Sequence, residues 1–287
     1  MKFPTAKLII FTEVFVFLRI KIIGTNMIFY FSGTGNSRHV AERIGLLIGE
    51  DYVENIADHY FHVLCNKDYS IDVDENEALG FVCPVHSWGI AKSMARFLKK
   101  TRINYRGKKI FAILVCGDTC GKAREQLQEA LWKRSRLRCD FVCSVQMPNT
   151  YIVMKGFGTD PDELAAQKLA NAEKQLDEIA DAINNNKPYD HYVVGSHPFL
   201  KGRIVYPLFM AFTLGDRKFH ADSNCISCGQ CVDNCPEHNI HLDAQNRPVW
   251  LGHCVKCLSC IHRCPKKAIQ YGDITQTMGR YFYKKLK

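Results

Sequence analysis

The sequence lacks a long, uninterrupted apolar run. Its nearest approach, Leu8–Ile23, is broken by one acidic and two basic residues, whereas a membrane-spanning helix needs about 20 mostly apolar residues. The small-residue cleavage site of a secretory signal peptide is also missing, because Gly24-Thr25-Asn26 precedes Met27. We expect residues 1–26 to be a gene-model extension, with translation beginning at Met27, or a dispensable tail. A segment lying on a membrane surface is the alternative.

Low-complexity segments and strong compositional bias are absent as well. Ten prolines and nineteen glycines in 287 residues are near average, so no long flexible linker is expected. With 47% hydrophobic and 23% charged residues, the composition excludes a largely disordered chain or a collagen-like fibre. At roughly 100–200 residues per domain, the length allows one large domain or two ordinary ones.

Short apolar runs alternate with helical patterns in residues 27–187. The runs predict strands over Met27–Phe31, Tyr52–Ile56, Leu79–Cys83, Ile110–Cys116 and Phe141–Val145. The intervening patterns predict helices over Ser37–Ile48, Ala91–Lys100, Lys122–Arg136 and Pro161–Asn184. This alternation indicates an α/β fold with a doubly wound, five-stranded parallel sheet. Because ligands bind such sheets at the carboxyl ends of the strands, the loops after strands one, three and four are candidate sites.

The rest of the chain divides into a connecting segment and a cysteine-rich domain. Residues 188–215 combine three prolines with many apolar and aromatic side chains. We therefore expect them to pack on one or both domains rather than to form a free linker. Residues 216–287 form the cysteine-rich domain, which ends in a basic tail, residues 280–287. The tail could dock an acidic partner, but a solvated basic end is the simpler interpretation.

Eight of the fourteen cysteines form two runs with the same spacing, Cys-x2-Cys-x2-Cys-x3-Cys-Pro, offset by 29 residues. Three thiolates on one tight loop reach three corners of a cubane iron–sulfur cluster, and the fourth cysteine of each run binds the other cluster. One cluster is therefore assigned to Cys225, Cys228, Cys231 and Cys264. The other is assigned to Cys254, Cys257, Cys260 and Cys235. A zinc site would use two CxxC pairs at longer separation, and disulfides would require an oxidising compartment.

This pattern resembles the bacterial two-cluster ferredoxin module over Phe219–Tyr271. The resemblance implies a small α+β domain with two [4Fe–4S] clusters that transfers single electrons at low potential. Four of the remaining cysteines are interpreted as buried small residues in a reducing cytosol: Cys65, Cys83, Cys139 and Cys143.

The loop after the first predicted strand, Ser32-Gly33-Thr34-Gly35-Asn36-Ser37, has the chemistry of a phosphate site. Its glycines permit a tight turn, its hydroxyl and amide groups can donate to phosphate oxygens, and the following helix supplies backbone N–H groups. The absence of a lysine excludes a Walker loop, and Arg38 replaces the third glycine of a dinucleotide fingerprint. The loop instead resembles the FMN-phosphate loop of flavodoxins.

The flavodoxin resemblance covers about Met27–Asn186 and implies that two further loops contact FMN. The loop after the third strand contains Val85, His86, Ser87, Trp88 and Gly89. The loop after the fourth strand contains Cys116, Gly117, Asp118 and Gly121. Within them, we expect Trp88 to contact the flavin and His86 to be a hydrogen-bonding residue rather than a proton donor. A redox pair of Cys116 and Cys120 is not expected.

Together, the two halves resemble the fused flavodoxin–ferredoxin electron-transfer family, found mostly in anaerobes. The resemblance implies a low-potential cytoplasmic protein that passes electrons between two [4Fe–4S] clusters, a bound FMN and an external redox partner protein. An iron–sulfur flavoenzyme that reduces a small molecule at the flavin is an alternative. A redox sensor or regulatory binding module is another.

The formal charge of +9 does not indicate a nucleic-acid partner. Residues 1–26 carry +3 of this charge. Two clusters with their thiolates and one flavin phosphate would together remove about 6 positive charges. The cofactor-loaded core would then be close to neutral, so neither nucleic acid nor a membrane is an expected partner.

Overall fold

The computed structural model describes residues 19–21, 26–49, 52–73, 78–107, 109–213 and 215–283. Most of residues 1–26 lie outside these ranges, and so does the prediction that they are a gene-model extension or a dispensable tail. Within them, no helix combines the length and apolar character needed to cross a membrane.

Five parallel strands form the central sheet: β1 Asn26–Tyr30, β2 Tyr52–Asn55, β3 Ala78–His86, β4 Lys109–Cys116 and β5 Phe141–Gln146. Their order is β2-β1-β3-β4-β5, and each neighbouring pair is parallel. Every residue of β4 is buried, as expected for a strand covered on both faces. This order is that of flavodoxin-like doubly wound sheets, whose switch point lies between β1 and β3. The predicted fold is confirmed.

Four main helices cover the sheet: α1 Asn36–Ile48, α2 Lys92–Lys100, α3 Ala123–Ser135 and α4 Asp162–Asn184. On one face, Leu176 and Ile179 of α4 pack with Ile44 of α1. On the opposite face, Phe97 of α2 and Leu127 of α3 belong to a second core. Each helix boundary lies within one residue of its prediction, because hydrophobic periodicity is a strong signal in long amphipathic helices.

Several short elements were not predicted: the strands Arg19–Lys21, Ser70–Asp72 and Arg102–Asn104, the 3-10 turn Ile56–His59 and the helix Tyr60–Cys65. The three strands form a separate parallel sheet. Elements this short carry too little periodicity to be identified from sequence. Cys65 is exposed at the end of its helix, contrary to expectation, whereas Cys83, Cys139 and Cys143 are buried.

The connecting segment is helical from residue 198 to residue 213. Its successive turns are Pro198–Leu200, Lys201–Val205, Tyr206–Leu208 and Phe209–Thr213, of which the second and fourth are π-helical. It lies on the first domain, where the Tyr206 hydroxyl donates to the Ile90 carbonyl at 2.8 Å. The ring of Phe209 contacts Tyr151 edge-on.

The cysteine-rich domain consists of two similar halves. Its antiparallel strand pairs are Phe219–Ala221 with Ile269–Tyr271 and Ile240–Leu242 with Pro248–Trp250, and its helices are Gln230–Asp233 and Ser259–Arg263. Its small core also contains Ile152 and Val153 from the first domain. The two domains therefore share a core.

A buried ion pair also joins the domains. Glu237, two residues after Cys235, has only 2% of its side chain exposed and accepts from Arg96 Nη2 at 2.8 and 2.7 Å. The Ser93 hydroxyl donates to the same carboxylate at 2.5 Å. Arg96 and Ser93 both lie on α2, so one helix of the first domain holds the end of the first cysteine run.

Candidate functional site

The predicted phosphate loop, Ser32–Ser37, lies at the carboxyl end of β1 and leads into α1. Gly35 has a left-handed backbone (φ 94°), and its N–H donates to Ser32 Oγ at 3.1 Å. Thr34, Asn36 and Ser37 are buried polar residues. Buried hydroxyl and amide groups beside the N-terminus of a 13-residue helix fit a phosphate group.

The second cysteine run covers this loop. A Cβ atom on Gly33 would lie 2.1 Å from the Cys257 carbonyl oxygen, so a larger residue does not fit without movement. The chain near the C-terminus contacts the loop as well, because the Tyr283 N–H donates to the Thr34 carbonyl at 2.8 Å. The predicted phosphate loop and one predicted cluster loop are therefore in direct contact.

The interpretation of the tail as a solvated basic end is wrong for residues 280–283. Arg280 Nη2 donates to Gln270 Oε1 at 3.1 Å, and the Tyr281 hydroxyl donates to Asn36 Oδ1 at 3.1 Å. The ring of Tyr283 stacks on His39, with 4.1 Å between centroids. The aromatic run 281–283 was the sequence signal for this contact. Residues 284–287 lie outside the described ranges.

The segment predicted as a loop after β3 is a tight hairpin. Val85 and His86 still belong to β3 and pair with Ile90 and Gly89, so only two residues form the turn. Both turn residues have positive φ, 50° for Ser87 and 62° for Trp88. The sequence did not reveal this turn, because such hairpins usually carry Asn-Gly or Asp-Gly.

Trp88 bridges this hairpin to the loop after β4. Its indole Nε1 donates to Thr119 Oγ1 at 3.0 Å. Gly121 has a left-handed backbone (φ 55°), and a Cβ atom there would lie 2.6 Å from Trp88 Cβ. The Lys201 ammonium lies 4.7 Å from the indole centroid. The two predicted flavin loops therefore touch, and the connecting segment covers part of the hairpin.

A further loop, which follows β5, connects these segments to the phosphate loop. Asn36 Nδ2 donates to the Pro148 carbonyl at 2.9 Å. The next residue, Asn149, lies against Gly117, and its Nδ2 donates to the exposed Asp118 carboxylate at 3.3 Å. All three predicted loops thus meet at one edge of the sheet.

Asp160, whose carboxylate is buried, lies at the same edge of the sheet. Burial disfavours its ionisation, but hydrogen bonds from Lys168 (2.6 Å) and the Asn149 backbone (3.0 Å) outweigh that effect. The pKa of Asp160 is consequently held below its ordinary value. The site therefore keeps a paired carboxylate rather than a proton donor at this position.

At this site Cys116 is buried and His86 is half-buried. Burial lowers the pKa of His86 to about 4, so its ring is neutral near pH 7. A hydrogen bond with Cys120, together with burial, raises the pKa of the Cys116 thiol well above its ordinary value. A protonated thiol is a poor nucleophile, and a neutral imidazole with this pKa is a poor acid.

The cysteines assigned to the first cluster lie around one cavity. It opens to solvent, and its lining includes Cys225, Cys228, Cys231 and Cys264. Burial, and after it the charge of ionised Cys225 and Cys264, raises the pKa of Cys231 to about 11. The crossed grouping therefore brings together thiols that are neighbours in the fold.

The cysteines assigned to the second cluster are more deeply enclosed. Burial, and after it the charge of ionised Cys254, raises the pKa of Cys257 well above its ordinary value; Cys235 contributes in the same direction. Burial also raises the pKa of Cys254 to about 12. Crowded buried thiolates would repel one another unless cations neutralise them, which is what iron supplies.

The surrounding backbone also suits cluster sulfurs. N–H groups of Asn239, Lys256 and Ala268 donate to the sulfurs of Cys235, Cys254 and Cys264 at 3.2–3.3 Å. In the described ranges, no three His, Cys, Asp or Glu side chains converge on a single ion. A cubane has a different requirement, because each of its irons binds its own thiolate. The donor set therefore fits iron–sulfur clusters.

Comparison with protein families identifies both halves. Residues 27–151 match the model of a flavodoxin domain, and residues 224–268 match that of a 4Fe-4S dicluster domain. The chain therefore has the arrangement of fused flavodoxin–ferredoxin proteins, a flavodoxin domain followed by an iron–sulfur domain. It is a redox protein of the electron-transfer class.

Two solved structures resemble parts of the chain. NAD(P)H:quinone oxidoreductase from Methanothermobacter marburgensis is 13% identical, with a TM-score of 0.35, covering 59% of this chain and 100% of that one. A flavone reductase is 12% identical, with a TM-score of 0.31, covering 62% of this chain and 70% of that one. Among curated proteins, no match was found.

Proposed function

We propose that this chain passes electrons between an external redox partner protein and a bound FMN by way of two [4Fe–4S] clusters. When bound, the clusters supply one-electron chemistry and the flavin one- or two-electron chemistry. Ser32–Ser37 and the loops around Trp88 and Asp118 would hold the FMN. The eight cysteines of the two runs would hold the clusters.

The approach of Cys257 to Gly33 is the observation that supports this proposal most strongly. Electron transfer slows steeply with distance, so a carrier needs its centres close together. The shared core and the Arg96–Glu237 pair hold the two loops at a fixed separation. N–H groups directed at the cysteine sulfurs, and the deeper enclosure of the second group of cysteines, would tune the potentials.

An enzyme that reduces a small molecule at the flavin has less support. Such an enzyme needs a proton donor near the ring, and His86, with a pKa of about 4, does not fit that role near pH 7. The connecting segment also restricts access to the hairpin, since the Tyr206 ring lies against Gly89.

The first experiment is to measure iron, sulfide and FMN in protein purified anaerobically. We expect about eight irons and eight sulfides, as two cubanes require, together with one FMN per chain. Absence of iron would overturn the proposal for the second domain. Full iron without flavin, even after FMN is added, would mean that Ser32–Ser37 binds another anion.

A second experiment separates a carrier from an enzyme. The protein alone should not oxidise NADPH with a quinone as acceptor, but it should link a donor protein to an acceptor protein in a coupled assay. Steady turnover of the small molecules by the chain alone would favour the flavoenzyme instead.

A further inference from the structure

We propose that the external partner docks on the first cysteine loop, residues 226–230, and that it is an acidic one-electron carrier protein. This proposal rests on the function proposed above and adds the place where electrons cross the protein surface. The unequal burial of the two repeats and the charge around the exposed one support it.

The two cysteine runs are sequence repeats, so equivalent positions can be compared directly. Ile226 is 56% exposed, whereas its equivalent in the second run, Val255, is 2% exposed. Gln230 is exposed, whereas its equivalent, Ser259, is 3% exposed. The difference lies in the surroundings of the two loops rather than in their spacing, because the first domain covers the second loop and leaves the first open.

The second loop is closed to an external protein. The Cys257 carbonyl lies against Gly33, and Glu237 is enclosed by α2. By contrast, Cys228 is exposed, and the cavity that it helps to line opens to solvent. A partner can therefore approach the first group of cysteines closely, whereas the second group faces the predicted flavin loop.

The chemistry of the open loop indicates the kind of partner. Ile226 supplies an exposed apolar centre. Lys266 lines the same cavity, and Lys267 beside it is exposed. Two carboxylates belong to the same segment: Asp233 is exposed, and Asp222 accepts hydrogen bonds from the Asn224 N–H and the Gln270 amide, but neither of them lines the cavity. An apolar centre with a basic rim complements an apolar patch surrounded by acidic residues.

The transfer moves one electron and no atoms. One electron would leave the reduced carrier and enter the cluster that Cys225, Cys228, Cys231 and Cys264 would hold. The carrier is oxidised by one electron and that cluster is reduced by one. No bond forms or breaks, and no proton needs to move in this step. The reverse direction uses the same surface.

The test uses the loaded protein and a bacterial two-[4Fe–4S] ferredoxin of acidic isoelectric point. Ile226→Glu places a negative charge at the centre of the surface, and Lys266→Glu places one at its rim. We expect each to weaken binding of the oxidised ferredoxin, measured by calorimetry, and to slow electron transfer by about tenfold. Lys266→Glu should also reduce the dependence of the rate on salt.

The matched controls change an exposed apolar residue and an exposed lysine to glutamate at positions away from the first cysteine loop. Leu46→Glu alters an apolar residue that is 74% exposed on α1, and Lys174→Glu alters an exposed lysine on α4. Both controls should bind the ferredoxin as the unaltered protein does. Dithionite, which needs no docking surface, should reduce all five proteins equally. If Ile226→Glu lowers the iron content, Lys266→Glu, which lies outside the cysteine spacing, keeps the test decisive.

The outcomes separate this inference from the proposed function. Unchanged binding and transfer in both Ile226→Glu and Lys266→Glu would overturn the docking site. An unaltered protein that binds no acidic ferredoxin would overturn the choice of partner. If dithionite reduces the iron centres but the flavin stays oxidised, the proposed function fails, while the calorimetric result still decides where the carrier binds.

Discussion

At the scale of single residues, the absence of a side chain at Gly33 determines how closely the two domains approach. Its φ is not in the left-handed region, so the requirement for glycine comes from Cys257 and not from backbone conformation. Gly35, in the same loop, is constrained both by its positive φ and by Tyr283, which would lie 3.1 Å from an added Cβ.

Gly33→Ala should therefore loosen the interface. The added methyl group forces the Cys257 backbone to move, and overpacking of this kind costs typically about 1–3 kcal/mol. We expect the free energy of unfolding to fall by that amount and FMN affinity to fall with it. Gly158→Ala is the control, because nothing lies within 4 Å of an added Cβ there. Equal unfolding energies for the two variants would contradict the contact.

His86 gives a prediction about pH. Its ordinary pKa of 6.5 is lowered to about 4 in the folded protein by burial. Between these values, the unfolded chain binds a proton that the folded chain does not. His86 therefore has no effect on stability above pH 6.5, where it is neutral in both states, and it lowers the stability of the folded protein as the pH falls from 6.5 toward 4, by at most about 1.4 kcal/mol per pH unit.

Urea unfolding at pH 7, 6 and 5 measures this effect. The loss of stability on acidification should be smaller in His86→Gln than in the unaltered protein, since glutamine does not titrate. Acid effects common to both proteins cancel in the comparison. Parallel losses in the two proteins would show that His86 titrates normally.

At the scale of elements, the crossed pairing of the cysteine runs distinguishes this domain from two independent cluster loops. Cys264 lies with Cys225 and Cys231 although it belongs to the other run. Likewise, the charge of ionised Cys235 raises the pKa values of the Cys254 and Cys257 thiols. Each run thus ends in the site of the other, and the two halves cannot separate while both sites are filled.

Double variants can test this crossing. If the crossed assignment is right, Cys225→Ser with Cys264→Ser removes two ligands from one of the two proposed clusters, so about four irons should remain. Cys225→Ser with Cys235→Ser removes one ligand from each cluster, and we expect much less iron to remain. Iron analysis of the two anaerobically purified proteins gives the answer. The opposite ranking would mean that each run binds its own cluster.

The sequence predicted the features that depend on residues close together in the chain and missed a contact between residues far apart in it. The buried run of β4, the periodicity of α4 and the cysteine spacing are local patterns, and all three were readable. The Ser87–Trp88 turn was missed because its residue types do not mark a hairpin. The contact of Cys257 with Gly33 was also missed, because no local pattern encodes an approach between residues so far apart in the chain.

At the scale of the whole molecule, the two domains behave as one body in the described part of the chain. They share a hydrophobic core through Ile152 and Val153, and His262 Nε2 lies 2.7 Å from the Thr150 carbonyl oxygen. The Arg96–Glu237 pair adds a charged contact that is largely removed from water. A buried pair of this kind is costly to break from one side.

Arg96→Ala should therefore destabilise the interface by about 3–5 kcal/mol, because it leaves the Glu237 carboxylate buried and unpaired. Arg38→Ala is the matched control, since its partner Glu42 forms an exposed i,i+4 pair, worth less than about 1 kcal/mol. Thermal unfolding and protease cleavage between residues 188 and 215 report the change. Similar stability in both variants would mean that the buried pair does not hold the domains together.

The covering of Ser32–Ser37 by Cys257 and Tyr283 has a consequence for biosynthesis. The chain leaves the ribosome from its N-terminus, and domains generally fold in that order. The phosphate loop is therefore complete and uncovered while the cysteine-rich domain is still being made. An FMN bound during this interval would then be covered by Cys257 and Tyr283.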